Sequence, residues 1–128
     1  MAFVVPCSGI AFAGAAFFRM DSPPHPETFV VKLRNPGRIE HARRILSGEE
    51  TLAVGVMGKV VPRSKAWNAP WSYRLQPRSV AFFEVAIEVC DASIAYVEEH
   101  LDEVGGAFLP GRVWCPWGSR LIEEIDRP

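Results

Sequence analysis

Phe29, Val31 and Leu33 alternate with Val30 and Lys32, the two-residue period of a half-buried strand. A buried first strand over Phe12–Met20 precedes it. The tip Asp21-Ser22-Pro23-Pro24-His25-Pro26 is rich in turn formers and joins the two as a hairpin from Ala15 to Leu33. The period then lengthens. Ile39, Ala42, Ile45 and Leu46 share one helical face, Asn35 stands at the N-cap, Pro36 at the first helical position, and Gly48 at the left-handed end. Leu52–Val61 reads as a third strand, in which Gly55 and Gly58 mark a bulge or a close approach by another backbone. Trp71, Tyr73 and Leu75 give a short fourth strand. Val80–Val89 gives a fifth, with Phe83, Val85, Ile87 and Val89 on one face and Glu84, Ala86 and Glu88 on the other. Its β-branched content favours a strand over the rival helix. Asp91 caps a second helix striped by Ile94, Val97, Leu101 and Val104 and ended by Gly105-Gly106. A strand-like segment, Val113–Trp117, and a helical turn, Ser119–Ile125, complete the chain.

Strands that mostly follow one another directly pair antiparallel. The expected class is therefore α+β: a mostly antiparallel sheet of about five strands, with two main helices packed on one face.

A length of 128 residues suits one domain over 1–128, with its core at about 12–125. Residues 1–11 are an irregular lead-in or the remnant of an export signal. The apolar run Ala2–Phe18 is broken by Pro6, Cys7, Ser8 and Gly9, and no Lys or Arg precedes it, so it reads neither as a signal peptide nor as a membrane span. Localisation stays open between secreted and cytoplasmic. The balance of 14 basic and 15 acidic side chains lacks the concentrated positive field of a nucleic-acid binder.

Four groups of residues invite a chemical reading. Trp67 and Trp71 lie in Trp-Asn-Ala-Pro-Trp, and Trp114 and Trp117 in Trp-Cys-Pro-Trp. Aromatic rings on proline-stiffened loops lose little entropy on contact and make binding anchors; the alternative is that they close the ends of a small core. Cys90 and Cys115 would form one disulfide in an exported chain and two buried thiols in a cytosolic one; no Cys-x-x-Cys redox pair exists, since position 118 is Gly. Glu98, Glu99, Asp102 and Glu103 lack the pattern of a calcium loop and read as a solvated helix face. Arg34, Arg38, Arg43 and Arg44 give the first helix a basic amphipathic character, the kind that enters calmodulin-like grooves, although its stripe is needed to cover the sheet. No cofactor motif and no metal-ligand spacing are present.

The ordered series Ala42–Glu50, Phe82–Glu84, Ala86–Ala92, Tyr96–Leu101 and Trp114–Trp117 resembles one family across roughly Ala15 to Ile125. It is the small domain at the front of an amoebal calmodulin-binding protein and of many bacterial proteins carrying the same label. The resemblance implies a binding role of calmodulin-binding type and brings no catalytic residues. It also implies export for many relatives, which favours the Cys90–Cys115 bridge.

The resulting expectation is a non-catalytic binding module for a protein or peptide, with room for a small-molecule ligand. Trp67, Trp71, Trp114 and Trp117, with Arg43 and Arg44, form its expected contact surface. The alternatives are a small enzyme using Glu84, Glu88, His100, Asp91 or Cys115, and a secreted hydrolase inhibitor presenting the Ala66–Trp71 loop.

Overall fold

The computed structural model describes residues 14–126. Through them run β1 (Ala16–Ser22), β2 (His25–Leu33), α1 (Pro36–Ser47), β3 (Gly55–Val61), β4 (Arg74–Leu75) and β5 (Ala81–Phe83). Then follow α2 (Ile94–Glu99), β6 (Val104–Gly105), β7 (Phe108–Pro110), β8 (Val113–Trp114) and β9 (Arg120–Ile125). Single 3-10 turns occupy Ala66–Asn68, Pro77–Ser79, Glu88–Cys90 and Leu101–Glu103.

The α+β class and the antiparallel pairing hold, but the described residues form no single five-stranded sheet. One sheet orders its strands β9-β1-β2. A second is built around β3, which pairs with β5 through Gly55–Met57, with β8 through Gly58 and Lys59, and with β4 through Val60 and Val61. β6 and β7 form a short parallel pair. Three short strands share one seven-residue strand, so each is cut to the length that strand can offer it.

The β1–β2 hairpin forms as its alternation demands, with Phe18, Met20, Phe29, Val31 and Leu33 buried. The residues before Gly14 in the expected first strand lie outside the described residues. In α1, the Asn35 side chain accepts from the Arg38 N–H at 3.0 Å, and Gly48 adopts φ 88° as the left-handed terminus. Ala42 is buried, and Ile39, Ile45 and Leu46 pack against the same core.

Three aromatic rings from separate segments meet at the centre. Phe29 lies 5.0 Å from Tyr73 and 5.2 Å from Trp114, and Tyr73 lies 5.6 Å from Trp114, centroid to centroid. Each contact of this kind contributes about 0.5–1.5 kcal/mol beyond its buried area. The polar ends of the rings are satisfied: Tyr73 donates to the Ile94 carbonyl at 2.9 Å, and the Trp114 indole N–H donates to Ala92 at 2.9 Å. Burial, with the Glu98 carboxylate adding to it, pushes the Tyr73 phenol far above its ordinary value.

Three expectations are corrected. Val80–Val89 is neither a full strand nor a helix: β5 ends at Phe83, and the chain then pairs with no described strand on its way into the Glu88–Cys90 turn. The cause is its partner, since Gly55, opposite Phe83, is the first residue of β3. Val85, Ile87 and Val89 consequently face solvent, not the core. Ser119–Ile125 is not a helical turn; Arg120–Ile125 is β9, pairing with the edge of β1 and skipping one residue between Leu121 and Glu123. Pairing satisfies backbone groups on both strands, which an isolated turn of helix cannot do. Lastly, Ser93 caps α2 in place of Asp91, and the helix ends at Glu99, so Leu101 falls in a 3-10 turn and Val104 in β6.

Gly55 and Gly58 do mark close approaches, but by side chains. A Cβ at Gly55 would stand 2.5 Å from the Phe83 ring, and one at Gly58 would stand 3.2 Å from Leu75.

Candidate functional site

Residues 84–89 leave β5 with no described strand beside them, and their alternating side chains do not enter the described core. Val85 is 83% exposed, Ile87 69% and Val89 50%. Exposure of three neighbouring aliphatic side chains is uncommon in a small domain. Such a segment needs an anchor, and it is fastened at its far end. Cys90 is disulfide-bonded to Cys115, the Cys115 N–H donates to the Cys90 carbonyl at 2.7 Å, and the Trp117 N–H donates to Asp91 Oδ1 at 2.9 Å. These three links join residues 90–91 to 115–117.

The result is a groove of two adjoining parts. A cavity of roughly 410 Å³ is lined by Met57, Val85, Ile87, Val89, Pro110 and Val113. It shares Val85 and Ala86 with a shallower cavity of roughly 190 Å³, whose far wall is Trp117. Trp117 is 45% exposed. Glu84, Glu88 and Asp91 are exposed on the same stretch of chain, so the apolar floor has acidic side chains at its margin.

The other expected contact residues are scattered. Trp114 is wholly buried in the aromatic core and has no surface to offer a partner. Trp67 is half-buried with its ring 5.8 Å from Phe17. Trp71 is half-buried, and its indole N–H donates to the Thr28 carbonyl at 2.7 Å. Between them Asn68 is buried: its Oδ1 accepts from the Val30 N–H at 2.7 Å, and its Nδ2 donates to the Tyr73 carbonyl at 2.9 Å. The Ala66–Trp71 loop is thus laid against β1 and β2 by Trp67, Asn68 and Trp71. Arg43 forks onto Glu124 at 2.9 and 2.8 Å and clasps α1 to β9; that bond holds its guanidinium above the ordinary value. Arg19 pairs with the neighbouring Glu123 of β9. Arg44 lies 3.8 Å from Glu40 on its own helix. A calmodulin-like groove would have to lift the packed stripe of α1 off the core to engage it.

Of the residues named for an enzyme, Asp91 and Cys115 lie in the two segments that the disulfide joins. Cys115 is bridged and carries no free thiol. Glu84, Glu88 and Asp91 are exposed, and His100 stacks on Tyr96 at 3.9 Å with Nδ1 2.8 Å from the Tyr96 carbonyl. No described helix is long and apolar enough to cross a membrane.

The alternation of Val85, Ile87 and Val89 pointed to a buried strand face and so concealed the groove. A second signal was available. Between Glu50 and Glu84 the charged residues are Lys59, Arg63, Lys65, Arg74 and Arg78, without one acid. From there to Arg112 they are Glu84, Glu88, Asp91, Glu98, Glu99, Asp102 and Glu103, without one Lys or Arg. The near-neutral total hides this segregation.

The fold and the surface define an α+β domain with an internal disulfide and an open apolar groove. The chain belongs to the BP-74 N-terminal domain family, whose model matches residues 14–128. This is the family that the ordered series of motifs resembles. No curated protein and no solved structure matches the chain.

Proposed function

We propose that the domain is a non-catalytic binding module whose apolar groove takes a peptide segment of a partner protein. The carrying observation is the solvent-facing series Val85, Ile87 and Val89 on a segment pinned by the Cys90–Cys115 bridge. Complete burial of one such aliphatic side chain stabilises a contact by about 1.5–3 kcal/mol, and a pinned segment loses little entropy in making it. Glu84, Glu88 and Asp91 favour a partner that carries Lys or Arg beside its apolar anchors. Trp117 is the aromatic wall of the site, whereas Trp114 supports it from within. The calmodulin contact implied by the sequence resemblance has no role in this reading, because the basic helix that would make it is committed to the core.

Selection of a random peptide library on the folded, oxidised domain tests the reading. Enriched peptides should combine aliphatic or aromatic anchors with basic residues. They should bind Val85→Ser/Ile87→Ser at least roughly tenfold more weakly, a loss of about 1.4 kcal/mol. Binding of selected peptides to that variant with unchanged affinity, or failure to enrich any peptide, would overturn the groove as the contact surface. A pull-down on immobilised calmodulin, with and without calcium, should retain none of the purified domain.

A further inference from the structure

The acid-free stretch of chain lends Lys65, Arg74 and Arg78 to a second pocket, which shares no described lining residue with the apolar groove. Its volume is roughly 360 Å³. Lys32 comes from β2, Arg34 from just beyond it, Lys65 and Trp67 from the loop after β3, Arg74 from β4, and Arg78 from the following 3-10 turn. Among the described residues lining the pocket, five cations converge from separate segments and there is no carboxylate. In a chain with more acids than bases this arrangement raises a local positive field and destabilises itself by like-charge repulsion.

The pocket has rigid parts. Asn68 anchors the loop that carries Lys65 and Trp67. Trp67 leans on Phe17, and the Lys32 ammonium lies 5.7 Å from the centroid of that same Phe17 ring. One Arg74 N–H donates to the Arg63 carbonyl at 3.1 Å, which fixes the guanidinium while leaving its other donors. Guanidinium forks match the oxygens of phosphate and sulfate groups. Cations distributed around a cavity, and not gathered at one point, suit several anionic groups held apart by a frame. Trp67 offers that frame an aromatic surface, and the volume lies within the roughly 300–1,000 Å³ typical of small-molecule sites.

We infer that this pocket binds a ring compound carrying two or more phosphate or sulfate esters, with Arg34, Lys65, Arg74 and Arg78 holding the anions and Trp67 contacting the ring. Phosphorylated inositols and sulfated saccharides share that chemistry.

The test is calorimetric titration of the whole chain with inositol hexakisphosphate, with a heavily sulfated disaccharide and with inorganic phosphate, at about 150 mM salt to screen non-specific attraction. At least one ring polyanion should bind with Kd below about 1 mM and raise Tm with concentration. The stronger of the two identifies phosphate or sulfate as the native group. Lys65→Ala/Arg78→Ala, two exposed positions, should weaken it at least roughly tenfold while the variant keeps the wild-type near-ultraviolet circular dichroism. Trp67→Phe should weaken it less, since every cation remains. Three results would overturn the inference: no binding of either ring polyanion, equal affinity in Lys65→Ala/Arg78→Ala, or inorganic phosphate binding as tightly as the rings.

Discussion

The apolar groove and the basic pocket are opposite in chemistry and alike in construction. One presents aliphatic side chains with acids at its margin; the other presents cations around a single indole. Neither rests mainly on regular secondary structure. The apolar groove is built on residues 84–89, which pair with no described strand, and the basic pocket takes Lys65 and Trp67 from residues 62–73, which are loop and one 3-10 turn. Each segment is instead tied to the core at one deep point: the Cys90–Cys115 bridge in the first and the Asn68 side chain in the second. A small domain can therefore carry side chains that no core claims, provided one covalent or fully buried polar link fixes the backbone that bears them.

If the two anchors act separately, breaking them should separate the two surfaces. The largest effect belongs to the disulfide. Cys90→Ser/Cys115→Ser reopens a loop with a sequence separation of 25 residues. It should lower unfolding free energy by about 3 kcal/mol in chemical denaturation. Peptide affinity at the groove should fall with it, while polyanion binding at temperatures below the new Tm stays unchanged. Simultaneous loss of both activities would mean that one anchor holds both surfaces. Next comes Asn68→Ala, which strands the Val30 N–H and the Tyr73 carbonyl in the interior. A cost of about 2 kcal/mol is expected. Here polyanion binding should weaken and peptide binding should persist, the reverse of the cysteine variant.

Acid provides the smallest and least selective perturbation. Glu50 accepts from the N–H groups of Ala53 at 3.0 Å and Leu52 at 3.1 Å, and these bonds hold its carboxyl below the ordinary value. Because the folded value is the lowered one, this contribution is complete above roughly pH 5 and disappears as pH falls through the folded value. Glu50 shapes the turn leading into β3, the strand on which both surfaces depend. Below about pH 4, Glu50→Gln should therefore lose less Tm than wild type does on the same acid shift, with both pockets affected alike.

Much of the framework was legible in local sequence. The hairpin, α1 with its Asn35 and Gly48 caps, and the special role of Gly55 follow from periodicity, side-chain capping and steric room, which act over a few residues. The second half was less legible because its outcome depended on partners. Leu121, Ile122 and Ile125 suit a helix as well as a strand until the free edge of β1 is beside them. Val85, Ile87 and Val89 suit a strand until β3, which begins opposite Phe83, starts too late to pair with any of them. The four tryptophans stand out in the sequence, yet nothing in their loops separates Trp114, a core ring, from Trp117, a surface one.

Taken by itself, the order of residues determined the class of the domain, its first hairpin and capped helix, and the segregation of bases from acids. Tertiary structure alone decided which strands found an edge to pair with, which aromatic rings were enclosed, and that five dispersed cations would share one cavity. The division has a physical cause: propensities and caps are satisfied by neighbours in the chain, whereas hydrogen-bond ladders and burial are satisfied by whatever the rest of the fold brings alongside.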